Sequence, residues 1–103
     1  MVLEDGDQIV GYSLITFRKN SDTARLYSIC IDKKRHGEKL GTFLLLCTID
    51  RLRSFNCIKS ITLEVSENNK AIQLYTKFNF KKITRLKHYY KDNSDAIKMK
   101  LIL

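Results

Sequence analysis

Between Ile29 and Leu52 the sequence reads ICIDKKRHGEKLGTFLLLCTIDRL, a strand-like apolar end, a polar loop with Gly37 and Gly41, and then a long apolar helix. Residues Arg35 to Thr42 would present successive backbone N–H groups at a helix start. Those groups lack intrahelical partners and sit at the positive end of the helix dipole, so they can hold pyrophosphate oxygens. Lys33, Lys34, Arg35 and Lys39 strengthen that field. Two roles are open to such a segment: a solvated basic turn or an anion cradle. It contains no Gly-Lys-Ser or Gly-Lys-Thr and no GxGxxG, so it is neither a Walker loop nor a dinucleotide fingerprint.

The elements around the loop must position it. Asp5-Gly6 between apolar stretches predicts a tight hairpin turn, with Gln8 to Phe17 as its second arm and Lys19 to Asp22 as the next turn. Ala24 to Ile31 alternates only imperfectly and reads as a strand buried on both faces. Leu40 to Phe55 carries a broad apolar helical face, and Lys59 to Val65 alternates Ile61, Leu63 and Val65 with Ser60, Thr62 and Glu64. Strand, helix and strand of these lengths read as one crossover joining parallel strands. Asn68 or Asn69 caps a second helix with Ala71, Ile72, Leu74, Tyr75 and Phe78 on one stripe, ended by Asn79. Phe80 to Tyr90 and Ala96 to Leu103 read as a final hairpin joined at Lys91 to Asp95.

A chain of 103 residues is expected to form a single domain, spanning 1–103, with a modest core. The formal charge of +8 attracts polyanions without choosing among nucleic acid, acidic protein and phosphorylated cofactor. No apolar run reaches the roughly 20 residues of a membrane span, and Met1 to Asp5 lacks signal-peptide character, so a cytoplasmic location is expected. Cys30, Cys47 and Cys57 form no CxxC pair and read as buried reduced thiols, with no metal expected.

The series RLYSICIDKKRHGEKLGTFLL, ITLEVSENNKAIQLYTKFNF, RLKHYY and DAIKM resembles the GNAT superfamily of acyl-CoA N-acyltransferases, and within it the ribosomal-protein alanine and protein N-terminal acetyltransferases. The resemblance covers nearly the whole chain in the right order. It implies an α/β fold, a three-layer GNAT-like mixed sheet around the parallel crossover, with acetyl-CoA as cofactor and a protein or peptide amine as acceptor.

By that resemblance the pyrophosphate loop falls on His36, Gly37, Glu38, Lys39, Leu40 and Gly41, with Thr42 in the first helical turn. Gly41 matches the family pattern; His36 stands where Gln or Arg is usual and Lys39 where glycine is usual. Backbone near Ile29, Cys30 and Ile31 would meet the pantetheine and thioester. Glu64 matches the general base, with Glu67 a weaker rival, and Tyr75 matches the general acid that protonates the departing sulfur. Asn68, seven positions before Tyr75, matches the pantetheine contact, with Asn69 as alternative, because the chain is one residue shorter after Glu64 than the usual pattern. Tyr89 and Tyr90 resemble hairpin residues that hold the acceptor.

The first strand and two helices of the family have no counterpart here, so the chain reads as N-terminally truncated, its cofactor half nearly complete. A homodimer that covers the exposed surface is therefore expected. Two other readings compete: a noncatalytic acyl-CoA-binding module, and a nucleic-acid binder using Lys81, Lys82, Arg85, Lys87, His88 and Lys91 beside the tyrosines.

Overall fold

The computed structural model describes residues 1–37 and 39–103; Glu38, one of the expected loop residues, lies outside them. Six strands and two helices follow in the order β1 (Val2–Asp5), β2 (Gln8–Phe17), β3 (Thr23–Ile31), α1 (Leu40–Arg53), β4 (Ser60–Ser66), α2 (Ala71–Lys77), β5 (Lys81–Leu86) and β6 (Ala96–Ile102). They build one mixed sheet of order β1-β2-β3-β4-β6-β5. Only β3 and β4 pair in parallel, on either side of α1 in the chain, while every other neighbour pair is antiparallel.

The alternation in β4 works as the sequence implies: Ile61, Leu63 and Val65 are buried, and Thr62 and Glu64 face the other way, half-buried. Leu45, Ile49 and Leu52 of α1 and Tyr75 of α2 join those residues, together with Ala24, Leu26, Ile97, Met99 and Leu101, in one core. Both helices therefore cover the same face. The described residues supply the sheet and one helical layer of the expected three-layer architecture and leave the opposite sheet face open. A buried hydroxyl pair, Ser13 Oγ and Thr48 Oγ1 at 2.8 Å, ties α1 to β2, and Thr48 also donates to the Leu44 carbonyl at 2.8 Å.

Strand β3 departs from the expectation of burial on both faces. Ala24 and Leu26 are buried, but Tyr27 is 61% exposed. Leu14 lies opposite Ser28 while Ile15 lies opposite Leu26, so Tyr27 is an extra residue, a β-bulge. The bulge returns Ile29 to the helix-facing side, where it packs on the core. Its ladder with β4 holds three pairs, Thr23 with Ser60, Ala24 with Ile61 and Arg25 with Thr62, and then ends. Beyond Arg25 the two strands separate.

Two further expectations are corrected. The strand expected to reach Tyr90 ends at Leu86, because His88 takes a left-handed φ of 53° and turns the chain into a loop. Cys30 and Cys57 are exposed and Cys47 half-buried, so the thiols are not core groups. As expected, α1 closes at Ser54, which follows its last residue Arg53. Asn79 does end α2, in a left-handed conformation of φ 73°, with its N–H bonded to the Thr76 carbonyl at 3.0 Å.

Gly11 packs β2 against the end of β3: a Cβ there would stand 2.5 Å from Ile31 Cδ1 and 2.8 Å from the Cys30 carbonyl oxygen. The second contact is backbone and cannot rotate away. Gly11→Ala is expected to lower stability by about 1–3 kcal/mol, read as a lower urea midpoint at unchanged slope.

Candidate active site

The loop after β3 is organised by short local bonds. Asp32 accepts from the Lys34 N–H at 3.0 Å, Lys33–Arg35 form a single 3-10 turn, and Gly37 takes φ 89°. A ring nitrogen of His36, in the tautomer that protonates Nε2, donates to the Ile31 carbonyl at 2.9 Å, so the imidazole closes the end of β3. Lys39 enters α1 with φ 58°, a left-handed residue, and its carbonyl accepts the Phe43 N–H at 3.1 Å. The N–H groups of Leu40, Gly41 and Thr42 precede that first helical bond.

An open groove of ≈ 590 Å³ lies between the starts of both helices, lined by Arg35, His36, Gly37, Lys39, Leu40, Gly41 and Thr42 and, across it, by Lys70, Ala71 and Leu74. Helix-start N–H groups and three cations fit a diphosphate. Arg35 also reaches Asp5 at 2.9 Å. Gly41 is not held by space: a Cβ would meet only Ile31 Cγ1, at 3.9 Å.

Where β3 and β4 part, a second cleft of ≈ 300 Å³ opens, lined by Leu26 to Ile29, Leu63 to Ser66, Asn69, Tyr75 and Tyr90. Glu64 and Tyr75 thus meet at one cavity, although Glu64 lies on the open-face side of β4 and Tyr75 on α2. The backbone bordering it begins at Leu26, earlier than the expected Ile29 to Ile31. Ile29 lines this cleft and Ile31 the loop groove, while Cys30 with Ile31 lines a separate hollow beside Tyr12. Of the two asparagines, Asn69 borders the cleft and caps α2 through its Oδ1, which accepts the Ala71 N–H at 2.8 Å. Asn68 does not line that cleft; its N–H meets Ser66 Oγ at 3.4 Å.

Glu64 is not alone. Arg25 Nε donates to Glu64 Oε2 at 3.0 Å, with the Glu64 side chain 16% exposed, and Arg25 Nη2 is 3.5 Å from the Tyr89 hydroxyl. The guanidinium also lies 5.3 Å from the Tyr27 ring centre. Tyr89 and Tyr90 stack edge to face at 5.0 Å, in the loop between β5 and β6. That loop is clipped by Asp95, which accepts from the His88 N–H at 3.0 Å and from Arg85 at 3.1 Å. The His88 bond, and then Arg85, hold the Asp95 carboxyl below its ordinary range. Arg85 also binds Glu67, so this rival base is engaged away from the cleft.

Arg25 and the Tyr27 bulge were missed in the sequence. Their signal was present: a lone arginine inside an apolar strand, and an alternation that slips by one residue.

The structure thus joins a splayed parallel pair, with a carboxylate and a phenol at its opening, to a cation-lined groove at the start of the crossover helix. The chain belongs to the acetyltransferase (GNAT) family, whose sequence model matches residues 1–80. It is similar to N-alpha-acetyltransferase 30 of Dictyostelium discoideum, 32% identical over 75 residues, which are 73% of this chain and 40% of that protein. It is also similar to an N-alpha-acetyltransferase of Sulfolobus acidocaldarius, 41% identical over 61 residues, 58% of this chain and 36% of the relative. The crystal structure of the ribosomal-protein-S18-alanine N-acetyltransferase from Escherichia coli superposes with a TM-score of 0.89 at 30% identity, covering 98% of this chain and 66% of that one. The chain thus spans well under half the length of those two sequence relatives and about two thirds of the solved structure.

Burial, and then the neighbouring Cys30, push the Tyr75 phenol above its ordinary value of 10. Folding therefore favours the neutral phenol. Its contribution to stability is complete below about pH 10 and is lost as pH rises through the raised folded value. Denaturant titrations above pH 10 are expected to show a steeper loss for the native sequence than for Tyr75→Phe, with the two slopes alike near pH 7; equal alkaline slopes would show that Tyr75 is not protected.

Proposed function

We propose that the chain is an acetyl-CoA-dependent N-acetyltransferase acting on a primary amine, best a protein or peptide N-terminus. The observation that carries the reading is the shared cavity of Glu64 and Tyr75 at the point where β3 and β4 separate. The groove at the α1 start supports the cofactor assignment: Gly37, Leu40, Gly41 and Thr42 contribute backbone, and Lys39 and Lys70 contribute charge, toward the pyrophosphate. Acetyl-CoA supplies the acetyl group and a thiolate leaving group.

In this scheme Glu64 takes the proton of the attacking amine, directly or through water. Backbone N–H groups along the free edge of β3, from Leu26 to Ile31, orient and polarise the thioester oxygen. Tyr75 donates its proton to the sulfur, a task for which a phenol held neutral suits it. Asn69 or Asn68 holds the pantetheine arm, and Tyr89 and Tyr90 contact the acceptor from the loop above. An N-terminal amine, with a reference pKa of about 7.7–8, offers far more of its neutral form than lysine at about 10.4. We carry a cytoplasmic homodimer as part of the reading. No helix among the described residues is long and apolar enough to cross a membrane. Exposed Leu14, Phe17 and Phe55 line an apolar hollow of ≈ 430 Å³ between β2 and α1 that suits a second copy.

A noncatalytic acyl-CoA-binding module is the second reading, favoured by Arg25 occupying one oxygen of the carboxylate. Calorimetric titration with acetyl-CoA, coenzyme A and desulfo-coenzyme A, with mass from light scattering, is expected to show saturable micromolar binding. With a peptide acceptor, Glu64→Gln and Tyr75→Phe are each expected to reduce kcat by about 100-fold or more while cofactor affinity changes little. Binding with no turnover selects the noncatalytic module; no binding by folded protein at millimolar cofactor overturns both.

A further inference from the structure

The open sheet face beside Glu64 holds a trough of ≈ 480 Å³ that the chemistry above does not use. Arg18, Arg25, Lys98 and Lys100 line it against a single carboxylate, Glu64. The strand register explains the placement. Lys98 lies directly opposite Glu64 and Lys100 opposite Thr62, on β4 and on β6, the strand next to the β5 edge. Lys81 of β5 then lies directly opposite Lys100, so two lysines share one cross-strand site. Like charges in that relation oppose pairing. Among the described residues, the only ion pair on this face is that between Arg25 and Glu64.

Lys98 and Lys100 are half-buried on the open face of β6, one strand in from the sheet edge. Four lining cations, one of them paired with the single carboxylate, leave a net positive trough that favours an incoming anion. Its shape follows from the strand: Lys98 and Lys100 are two residues apart, roughly 7 Å, which is the repeat of same-side residues in an extended peptide. A polyamine acceptor would be repelled from the same surface.

We propose that this trough binds acidic side chains of the acceptor, so that the acceptor class is an extended peptide with Asp or Glu shortly after its amino terminus. The inference rests on the acetyltransferase reading for the position of the amine, at Glu64, but its binding test does not require turnover.

The test is fluorescence anisotropy with labelled, N-terminally acetylated peptides that differ only in bearing Asp/Glu, Ser/Gln or Lys near that end. The native sequence, Lys98→Met/Lys100→Met and the charge-preserving Lys98→Arg/Lys100→Arg are compared. The acidic peptide is expected to bind about tenfold or more tighter than the neutral one, to lose about that factor in the Met variant, to recover in the Arg variant and to weaken with salt. Equal binding of acidic and neutral peptides, or an unchanged acidic peptide in the Met variant, overturns the proposal. So does an oligonucleotide of equal charge that binds tighter through the same lysines, since it would make the trough a nucleic-acid surface. A chain without turnover that still selects acidic peptides refutes acetyl transfer alone; a chain that acetylates peptides without regard to charge refutes the trough alone.

Discussion

The separation of β3 from β4 after three residue pairs is the constraint on which the rest depends. Two parallel strands that stayed paired would close the sheet and leave no way for a side chain on one face to meet one on the other. Because they part, Glu64 on the open-face side and Tyr75 beneath the helical side border one cavity. The Tyr27 bulge makes this compatible with a continuous core. It bends β3 away and resets its alternation, so Ile29 still packs inward after the strand has lost its β4 partner. The exposed β3 edge retains N–H groups that neither β4 nor another strand satisfies, a liability in a sheet and an asset beside a polar ligand.

Electrostatics then connects the cleft to the loop above it. Arg25 joins Glu64 to Tyr89, and Arg85 joins Asp95 to Glu67, so two guanidiniums pin the segment between β5 and β6 at its two sides. The Arg85 pairs are solvent-facing and worth little alone, while the Arg25–Glu64 pair is partly buried. Their effect is positional: they tie the loop carrying Tyr89 and Tyr90 to its neighbours and hold the Glu64 carboxylate in one direction.

The periodic parts of the fold were legible in the sequence, because burial of one face imposes periods of two and about 3.6 that survive without knowledge of partners. Thus β4, α1 and α2 fall where Ile61, Leu45 and Tyr75 indicate. What was misread is what periodicity does not encode. The bulge made a one-sided strand look two-sided, the open sheet left Cys30 exposed although Ile29 and Ile31 flank it, and Cys57 is exposed in the turn between α1 and β4. The chain turns at His88 through a left-handed residue, which an aromatic-rich run conceals. The candidate site residues Glu64 and Tyr75 came from family resemblance, joined for Glu64 to a polar-face position. Arg25 carried no such label, and its pairing is across 39 residues of sequence, a tertiary fact.

Lys39 shows how a departure from a family pattern can be read physically. The turn into α1 requires a left-handed residue, here φ 58°, which a glycine adopts freely and a side-chain-bearing residue only at about 1 kcal/mol. That explains the glycine usual at this position. Lysine accepts the strain and returns an ammonium group at the rim of the groove, opposite Lys70. For a diphosphate the trade is close approach of backbone against added long-range attraction, and the second term is the one weakened by salt. Cations also gather on the open sheet face, where Lys98 and Lys100 line the trough beside Glu64.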